Sequence, residues 1–287
     1  MLSSLASVLF DGFAYGMLLF LLSVGLSVTL GMMNFLNLAH CSFAMVGGYV
    51  TVHLASRLGW PFLATLPVAF VAAAVVSIVL ERILYRRLYR ASDLDQCLLT
   101  IGIVFISIAA FAWFYTTEQQ SVQVPEWLKG AQHVGGMTFA NYRMFLIVVG
   151  LAVTGLLVFF LERTRFGAKV RAAVDNQRMA RGLGIDVDRA FMFTFALGGG
   201  LAGLGGALSI QIVGLDPTFA LGYLVYVLIV VAVGGLGSIG GSFAAAIVLG
   251  ISDMAGKYYF PWLGAFVIYL VMVALLMWRP AGLFGKR

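Results

Sequence analysis

Long stretches without a charged residue dominate the chain, and short polar segments separate them. A charge near the centre of a bilayer costs roughly 2.5–3.5 kcal/mol on insertion scales, so each stretch is a candidate membrane segment. A crossing helix needs about 20 residues, so most stretches fit one crossing, whereas Gly12–Ser56 and Pro217–Ser252 fit two. The pattern predicts an all-α, polytopic bundle of about eight to nine transmembrane helices, with broken or re-entrant segments. The stretches are Gly12–Ser56, Trp60–Leu80, Gln96–Thr117, Met144–Leu161, Ala190–Leu215, Pro217–Ser252 and Tyr258–Trp278.

The basic residues gather in alternate polar segments and therefore predict an orientation. Of the 18 Lys and Arg residues, 14 lie after the third crossing, in one long central loop and in the tail. Under the positive-inside rule these segments are cytoplasmic, which places the C-terminus inside and the N-terminus outside. Because consecutive crossings alternate between the two sides of the membrane, Pro217–Ser252 must return to the side on which it begins, either by crossing twice or as a re-entrant segment. The 14 residues are Arg82, Arg86, Arg87, Arg90, Arg163, Arg165, Lys169, Arg171, Arg178, Arg181, Arg189, Arg279, Lys286 and Arg287.

The composition agrees with a membrane protein and sets further limits. Hydrophobic residues make up 62% of the 287 positions and charged residues 10%, whereas soluble chains carry about 25% charged residues. Because no linker interrupts the apolar segments, we expect a single transmembrane domain over residues 1–287. The first ten residues contain no basic residue, so we expect no cleavable signal peptide. Cys41 and Cys97 lie in or beside apolar stretches, which argues against a disulfide framework.

Two glycine-rich segments indicate a chain break and close helix packing. Gly234–Gly241 satisfies GxGxxG at Gly235, Gly237 and Gly240, but its flanks are membrane segments rather than a strand and a helix. We therefore expect a turn between helices, buried in protein or facing a wet cavity. Gly198–Ala207 places small residues four apart in two registers, which lets helices approach closely. Whether the partner helix belongs to this chain or to a second subunit is left open.

Few polar groups lie inside the apolar stretches, and each is a candidate for function. His40 falls in the first long stretch and Asp253 lies just past the sixth, and intramembrane ionisable residues are functional candidates by default. We expect His40 at a cytoplasmic turn and Asp253 near the outer face, where both would meet water. The alternative is that both line a pathway. Asn34, Asn37 and Ser42 surround His40, a cluster typical of a discontinuous helix that exposes backbone groups to a cavity.

The long basic loop, about residues 163–189, contains a helical pattern. Gly167–Gly182 is typical of a short helix ended by glycine, with Arg171 and Asp175 four residues apart. Composition alone favours an ordinary cytoplasmic loop, whereas a helical pattern in so long a connection favours a docking element. The predicted helix offers a weakly apolar face framed by positive charge, formed by Val170, Ala173, Val174, Gln177 and Arg181.

The sequence contains little catalytic chemistry. It has no GxxxxGK[ST] phosphate-binding loop, no GxSxG nucleophile elbow, no HExxH zinc helix and no His/Cys metal spacing. We therefore expect no catalytic residue, metal or cofactor in this chain, and no enzymatic activity of its own. With only Asp253 and two histidines near the membrane interior, an ion-coupled carrier is short of titratable groups.

Short motifs follow one another in order from residue 31 to the tail. They are Gly31–Phe35 with Asn37–Tyr49, Glu81–Arg86, Arg163–Gly167 with Arg171–Ala172 and Gly184–Asp186, Gly234–Ile239, and Arg279–Gly285. The ordered set resembles the shorter, H-type permease subunits of bacterial branched-chain amino acid ABC importers. Two positions depart from that pattern, since Cys41 stands where the family usually has glycine and Ser42 where an acidic residue is common.

The resemblance implies a type II ABC importer permease-like fold in the bacterial inner membrane. It implies as partners a second, related permease, two cytoplasmic ATPase subunits that use ATP and Mg²⁺, a periplasmic substrate-binding protein and membrane lipid, with no nucleic acid. The cargo would be a hydrophobic or branched-chain amino acid, although relatives carry urea, amides or aromatic acids. Homodimeric or heterodimeric pairing of the permeases is left open.

Two sets of residues take roles under this hypothesis. One set would border the substrate pathway, or in the plainer alternative only satisfy and pack helix ends: Asn34, Asn37, His40, Ser42, Gly235, Gly237 and Ser238. The other would couple the chain to the ATPases: Gly167, Arg171, Ala172, Ala173, Asn176, Arg178, Ala180, Gly182 and Gly184. Two further hypotheses compete, an ATP-independent channel or facilitator for a small polar solute such as urea or an amide, and a structural membrane subunit without a pathway.

Overall fold

The protein is predominantly helical in a computed structural model that describes residues 2–33, 35, 37–89, 91–134 and 137–285. This confirms the predicted all-α class. The described residues also include an antiparallel hairpin that was not predicted, β1 (Ala131–Val134) and β2 (Met137–Ala140). The helices are α1 (Leu2–Met33), α2 (His40–Val52), α3 (Phe62–Leu80), α4 (Asp93–Tyr115), α5 (Glu126–Lys129), α6 (Asn141–Arg163), α7 (Arg165–Asp175), α8 (Gln177–Gly182), α9 (Val187–Val213), α10 (Phe219–Gly234), α11 (Ile239–Tyr259) and α12 (Gly264–Trp278).

Two helices continue through π-helical turns. α2 runs on through His53–Arg57, and α3 runs on through Glu81–Tyr85 and a final α-helical turn, Arg86–Leu88. Among the described residues, six helices are long and apolar enough to cross a membrane, namely α1, α3, α4, α6, α9 and α11. The shorter apolar helices α10 and α12 have 16 and 15 residues, about 24 and 22 Å at 1.5 Å per residue. Together with α2, these helices are compatible with the predicted eight or nine.

The helix ends gather at two opposite faces of the bundle. We call one the hairpin end, because Phe139 of β2 stacks edge-on against Phe10 of α1 with 4.9 Å between ring centroids. We call the other the basic end, since it contains residues 81–89, 163–189 and 279–285. There Phe35, just beyond α1, lies 5.2 Å from the ring of Tyr85.

The sixth apolar stretch crosses the bundle twice. α10 begins beside Leu215, which pairs with Gln120 at the hairpin end, and it ends where Gly237 packs on Gly31 at the basic end. α11 then returns until Gly250 packs against the backbone of α1 near the hairpin end. Of the two alternatives for Pro217–Ser252, the structure therefore has two full crossings and not a re-entrant segment.

The small residues of α9 pack within this chain. A Cβ placed on Gly198 would meet Gly25 of α1, and one on Gly206 would meet the backbone of Ala44 in α2. In the second register, Gly199 packs on Ser77 of α3. Both predicted registers are therefore used to bring α1, α2 and α3 against α9, which forms the centre of the bundle.

Candidate translocation and coupling sites

Between α1 and α2 the described residues, Phe35 and 37–39, are not helical, and we call this segment the polar break. It lies between Met33 and His40, at the sequence position where the polar cluster predicted a discontinuous helix. Asn37 organises the described part of the break, because its Oδ1 accepts a hydrogen bond from the Ala39 N–H at 3.1 Å. Its amide nitrogen is buried and has no hydrogen-bond partner among the described residues. The predicted pathway residue Asn34 lies outside the described residues.

His40 lies deep in the bundle, and the expectation that it meets water at a turn is wrong. Its side chain is 1% exposed, and its Nε2–H donates to the Leu22 carbonyl oxygen at 3.1 Å. Leu22 precedes the end of α1 by 11 residues, about 16 Å along the helix axis. The chain therefore returns into the interior of the bundle before α2 begins, so that α2 starts beside the middle of α1.

Ser42 extends the same polar region towards α4. Its Oγ lies 2.9 Å from the Ser107 Oγ, a hydrogen bond between two different membrane helices. Asn37, His40 and Ser42 are all buried, so each polar group must find its partner inside the protein. The structure thus brings these three predicted residues into one region, between α1, α2 and α4.

Gly235–Ser238, between α10 and α11, forms a second break that we call the glycine joint. Gly235 and Gly237 adopt positive φ angles of 93° and 77°, a conformation that favours glycine. The Ser238 Oγ caps α11 by accepting from the Gly241 N–H at 3.0 Å. The C-terminal tail closes the joint, since the Leu283 N–H donates to the last turn of α10 at 2.7 Å. This break is packed against backbone rather than open to a cavity.

The predicted pathway residues consequently form two groups. The polar break reaches Leu22 of α1, whereas the glycine joint packs on Gly31 of the same helix. Nine residues of helix correspond to about 14 Å, so the two groups do not share one site. Of the predicted set, Gly235, Gly237 and Ser238 belong to the basic end and Asn37, His40 and Ser42 to the interior.

Asp253 is fully buried, and the expectation that it meets water is wrong as well. Its Oδ2 accepts a hydrogen bond from Lys257 Nζ at 2.6 Å, one helical turn further along α11. Its Oδ1 has no partner among the described residues, and Lys257 Nζ lies 5.4 Å from the centre of the Tyr15 ring. The ion pair explains how a carboxylate is retained here, because an unpaired buried charge is far more costly.

The coupling segment forms two short helices, α7 and α8, rather than the single helix predicted. Asn176 separates them and caps α8, with its Oδ1 accepting from the Met179 N–H at 2.9 Å. Thr164 caps α7 through the Gly167 N–H at 3.3 Å, and a Cβ on Gly167 would collide with the backbone of Leu161. The Arg171 guanidinium donates to the Leu161 carbonyl oxygen, so this residue anchors α7 to the end of α6.

Only part of the face predicted for this segment points inward, since Val174 is half-buried and Gln177 and Arg181 are exposed. Val170, Ala173 and Ala180 are buried against Val187 and Phe191 at the start of α9. Of the other predicted coupling residues, Arg178, Gly182 and Gly184 are exposed, and Ala172 is half-buried. Sequence reasoning missed the exposed apolar pair, Met179 and Leu183, which are 67% and 78% exposed. Their spacing of four in a short basic helix is the signal that could have found them.

Ion pairs join the coupling segment to the turn at the end of α3. Asp188, at the start of α9, accepts from Arg181 of the coupling segment at 3.1 Å and from Arg86 at 2.5 Å. The neighbouring Glu81 is buried and accepts from the Tyr89 hydroxyl at 2.7 Å. Burial raises the pKa of the Tyr89 hydroxyl, and the hydrogen bond to Glu81 raises it further, so Tyr89 remains a donor.

An aromatic cluster continues from this turn to the polar break. The rings of Tyr85 and Phe35 lie 5.2 Å apart, and Tyr85 lies 5.2 Å from Phe195 of α9. Phe195 in turn lies 6.0 Å from Phe43, and Phe43 lies 6.4 Å from the imidazole of His40. A continuous set of contacts therefore links Asp188 at the basic end with His40 in the interior.

Comparison with known proteins identifies a matching family model. The model described as the permease component of the branched-chain amino acid transport system matches residues 8–276. The chain is similar to the probable branched-chain amino acid transport permease LivH of Methanocaldococcus jannaschii, at 30% identity over 94% of this chain and 90% of the relative.

Two other relatives are less similar in sequence. The permease BraD of Pseudomonas aeruginosa is 25% identical over 97% of this chain and 95% of its own length. The permease LivM of Escherichia coli K12 is 26% identical over 93% of this chain and 68% of its own length. No solved structure matches the chain.

Proposed function

Because the chain belongs to the family of branched-chain amino acid transport permease components, we propose that it moves hydrophobic amino acids through the inner membrane as one subunit of an ATP-driven importer. The amino acid cargo is supported by the similarity to LivH and BraD, which are named as branched-chain amino acid transport permeases. The further partners would be two cytoplasmic ATPases and a periplasmic binding protein.

The pairing with a second, related permease has its own support. The chain is similar both to LivH and to LivM, two permeases of the same transport system in Escherichia coli K12. Two related permeases of this kind would enclose the pathway between them. The basic end would face the cytoplasm, since it carries most of the Lys and Arg residues, and the N-terminus would lie on the periplasmic side.

The observation that carries the proposal is the structure of the coupling segment. The buried faces of α7 and α8 pack against α9, which leaves Met179 and Leu183 exposed beside Arg178 at the basic end. Exposed apolar side chains rimmed by positive charge are typical of a protein interface. A separate motor would dock on this surface, because the chain itself has no phosphate-binding loop.

The contacts above supply a route from this surface to the polar break. Movement of α8 would pull on Asp188 through Arg181, and Asp188 would act on the α3 turn through Arg86. Tyr85 and Phe35 would pass the displacement to the segment that carries Asn37 and His40. Closed interfaces and packed cores move between discrete arrangements, so a small shift at α8 would switch the polar break between two packings.

The test is ATP-dependent uptake by the intact complex in proteoliposomes. We expect labelled leucine to accumulate only with binding protein and ATP, and we expect Leu183→Glu to abolish uptake while the permease still folds. Leu183→Met, which keeps an apolar side chain at the same position, serves as the matched control. Full uptake by Leu183→Glu would contradict docking at this surface.

The competing channel hypothesis makes the opposite prediction in the same vesicles. An ATP-independent facilitator would let urea or an amide equilibrate through liposomes that hold this chain alone. We expect no such flux without the ATPases and the second permease. Flux through the isolated chain, unaffected by ATP, would overturn the importer proposal.

A further inference from the structure

An apolar cleft opens between α6 and α9 on the outer surface of the bundle. Its inner part has a volume of about 490 Å³, and an adjoining part of about 380 Å³ continues towards the basic end. Phe70, Phe160 and Leu197 line both parts, and only apolar side chains line either one. Because an empty cleft forfeits the dispersion contacts of its walls, a bilayer would fill it with hydrocarbon.

The cleft has the length of one leaflet. On α9 it runs from Phe193 to Leu204, and 11 residues of helix correspond to about 16 Å. Half of a hydrocarbon core of about 30 Å is about 15 Å. The cleft thus extends from the middle of the bilayer to the surface at the basic end, which is the path of a single acyl chain.

Aromatic rings and positive charge surround the opening at the basic end. Phe166 lies 5.2 Å from Phe160 and 6.2 Å from Phe193, so these rings frame the opening. Arg165 precedes Phe166 in the chain, and Arg189 lies one helical turn before Phe193 on the same side of α9. Both arginines are exposed.

Arg82 adds a third guanidinium to this rim. Its Nε and Nη2 lie 3.3 and 3.1 Å from the sulfur of Met192, the residue before Phe193. A thioether is a weak acceptor, so Arg82 retains donors for a stronger one. The carboxylates beside this rim are already engaged, since Glu81 accepts from Tyr89 and Asp188 pairs with Arg86 and Arg181. Asp186 pairs with the Nε of Arg189, and a guanidinium has five donors, so Arg189 keeps others for a phosphate.

We propose that the cleft binds one acyl chain of an anionic phospholipid, whose phosphate lies among Arg82, Arg165 and Arg189. Basic pockets between membrane helices at the cytoplasmic surface are suited to such headgroups. A second permease fits this surface less well. In the parallel orientation that a shared motor requires, it would bring its own basic end to the same level, and like charges would face each other.

The experiment is native mass spectrometry of the purified permease with phosphatidylglycerol or phosphatidylcholine of identical acyl chains. We expect phosphatidylglycerol to be retained several-fold better. The triple variant Arg82→Gln, Arg165→Gln, Arg189→Gln should remove that preference. The matched control Arg87→Gln, Lys169→Gln, Arg178→Gln removes the same charge from the same end and should keep it.

A second variant tests the acyl chain separately from the headgroup. Leu197→Trp would fill the cleft and should reduce retention of both lipids at this site, whereas Leu151→Trp on the exposed face of α6 should not. Equal retention of the two lipids by the wild-type protein would overturn the proposal. So would phosphatidylglycerol retention that survives the charge-removing triple variant, or the disappearance of the bound lipid when a second permease assembles.

Discussion

The polar break and the glycine joint interrupt the helices of this permease in opposite ways. At the polar break the chain is held by side chains, with the Asn37 Oδ1 accepting from the Ala39 N–H and His40 donating to a carbonyl of α1. At the glycine joint the chain is held by backbone, with Gly237 against Gly31 and the tail bonded to the end of α10.

The difference indicates which break can move. Side-chain hydrogen bonds can exchange partners when a helix shifts, whereas glycine backbones in contact leave no room for a second arrangement. The polar break also lies at the end of the contacts that begin at Asp188. We therefore expect the joint to be a fixed point of the fold and the polar break to be the part that changes during transport.

The largest effect should follow from filling the glycine joint. In Gly31→Ala the new methyl group would collide with the Gly237 backbone, and overpacking of this kind costs about 1–3 kcal/mol. We expect a lower unfolding temperature and less monodisperse protein in detergent. Gly240→Ala is the matched control, since a Cβ there meets no other described atom within 4 Å. Equal stability of the two variants would contradict a packed joint.

The next effect should appear at the polar break, in transport as well as in stability. His40→Ala removes the donor to the Leu22 carbonyl, a buried hydrogen bond whose loss costs about 1–3 kcal/mol. We expect leucine uptake to fall about tenfold, since 1.4 kcal/mol corresponds to that factor. His40→Gln keeps an N–H donor and should retain most of the uptake. Normal uptake by His40→Ala would place the pathway elsewhere.

The sequence predicted the helical class, both breaks and the small-residue packing, because each depends on local patterns. Charge-free length, the Asn37–Ser42 cluster and the Gly234–Gly241 run each act within a few residues. The burial of His40 could not be predicted, because it depends on how far the chain climbs back beside Leu22. Asp253 was misplaced for a similar reason, since the charge-free stretch ends at Ser252, whereas α11 continues to Tyr259 and so includes the partner Lys257.

The coupling surface shows the same limit. Val170 and Ala173 of the predicted face pack on α9 instead of meeting a partner, whereas Gln177 and Arg181 of the same face are exposed. Only the position of α9 decides which side of a short helix is left exposed. The roles of the exposed coupling residues, and of the pathway residues, therefore stay predictions that the variants described here address.

A smaller effect should distinguish the two breaks by their accessibility. Cys41 is buried next to His40, and Ser242 is buried one turn beyond the joint, where its Oγ bonds to Ser27 at 2.8 Å. In a Cys97→Ser background we expect maleimide to label Cys41 several-fold faster during ATP turnover. A Ser242→Cys variant without other cysteines should stay protected. Faster labelling at Ser242→Cys instead would indicate that the glycine joint moves during transport and that the polar break stays fixed.

The smallest effect should come from the ion pairs that connect the coupling segment with the polar break. Asp188 and Arg86 are half exposed, and exposed pairs contribute about 0.2–1 kcal/mol, so Asp188→Arg should change the ratio of uptake to ATP hydrolysis by at most about fivefold. The double variant Asp188→Arg, Arg86→Asp restores opposite charges at the α3 turn and should recover part of the ratio, because Arg181 would still face a like charge at position 188. Asp188→Arg combined with Arg87→Asp carries the same charges but cannot rebuild the pair, so the ratio should not recover in this variant.

Recovery of the ratio in both double variants would mean that net charge matters and the specific contact does not. Recovery in the first alone would show that coupling depends on the contact between Asp188 and Arg86, the first step of the route to the polar break.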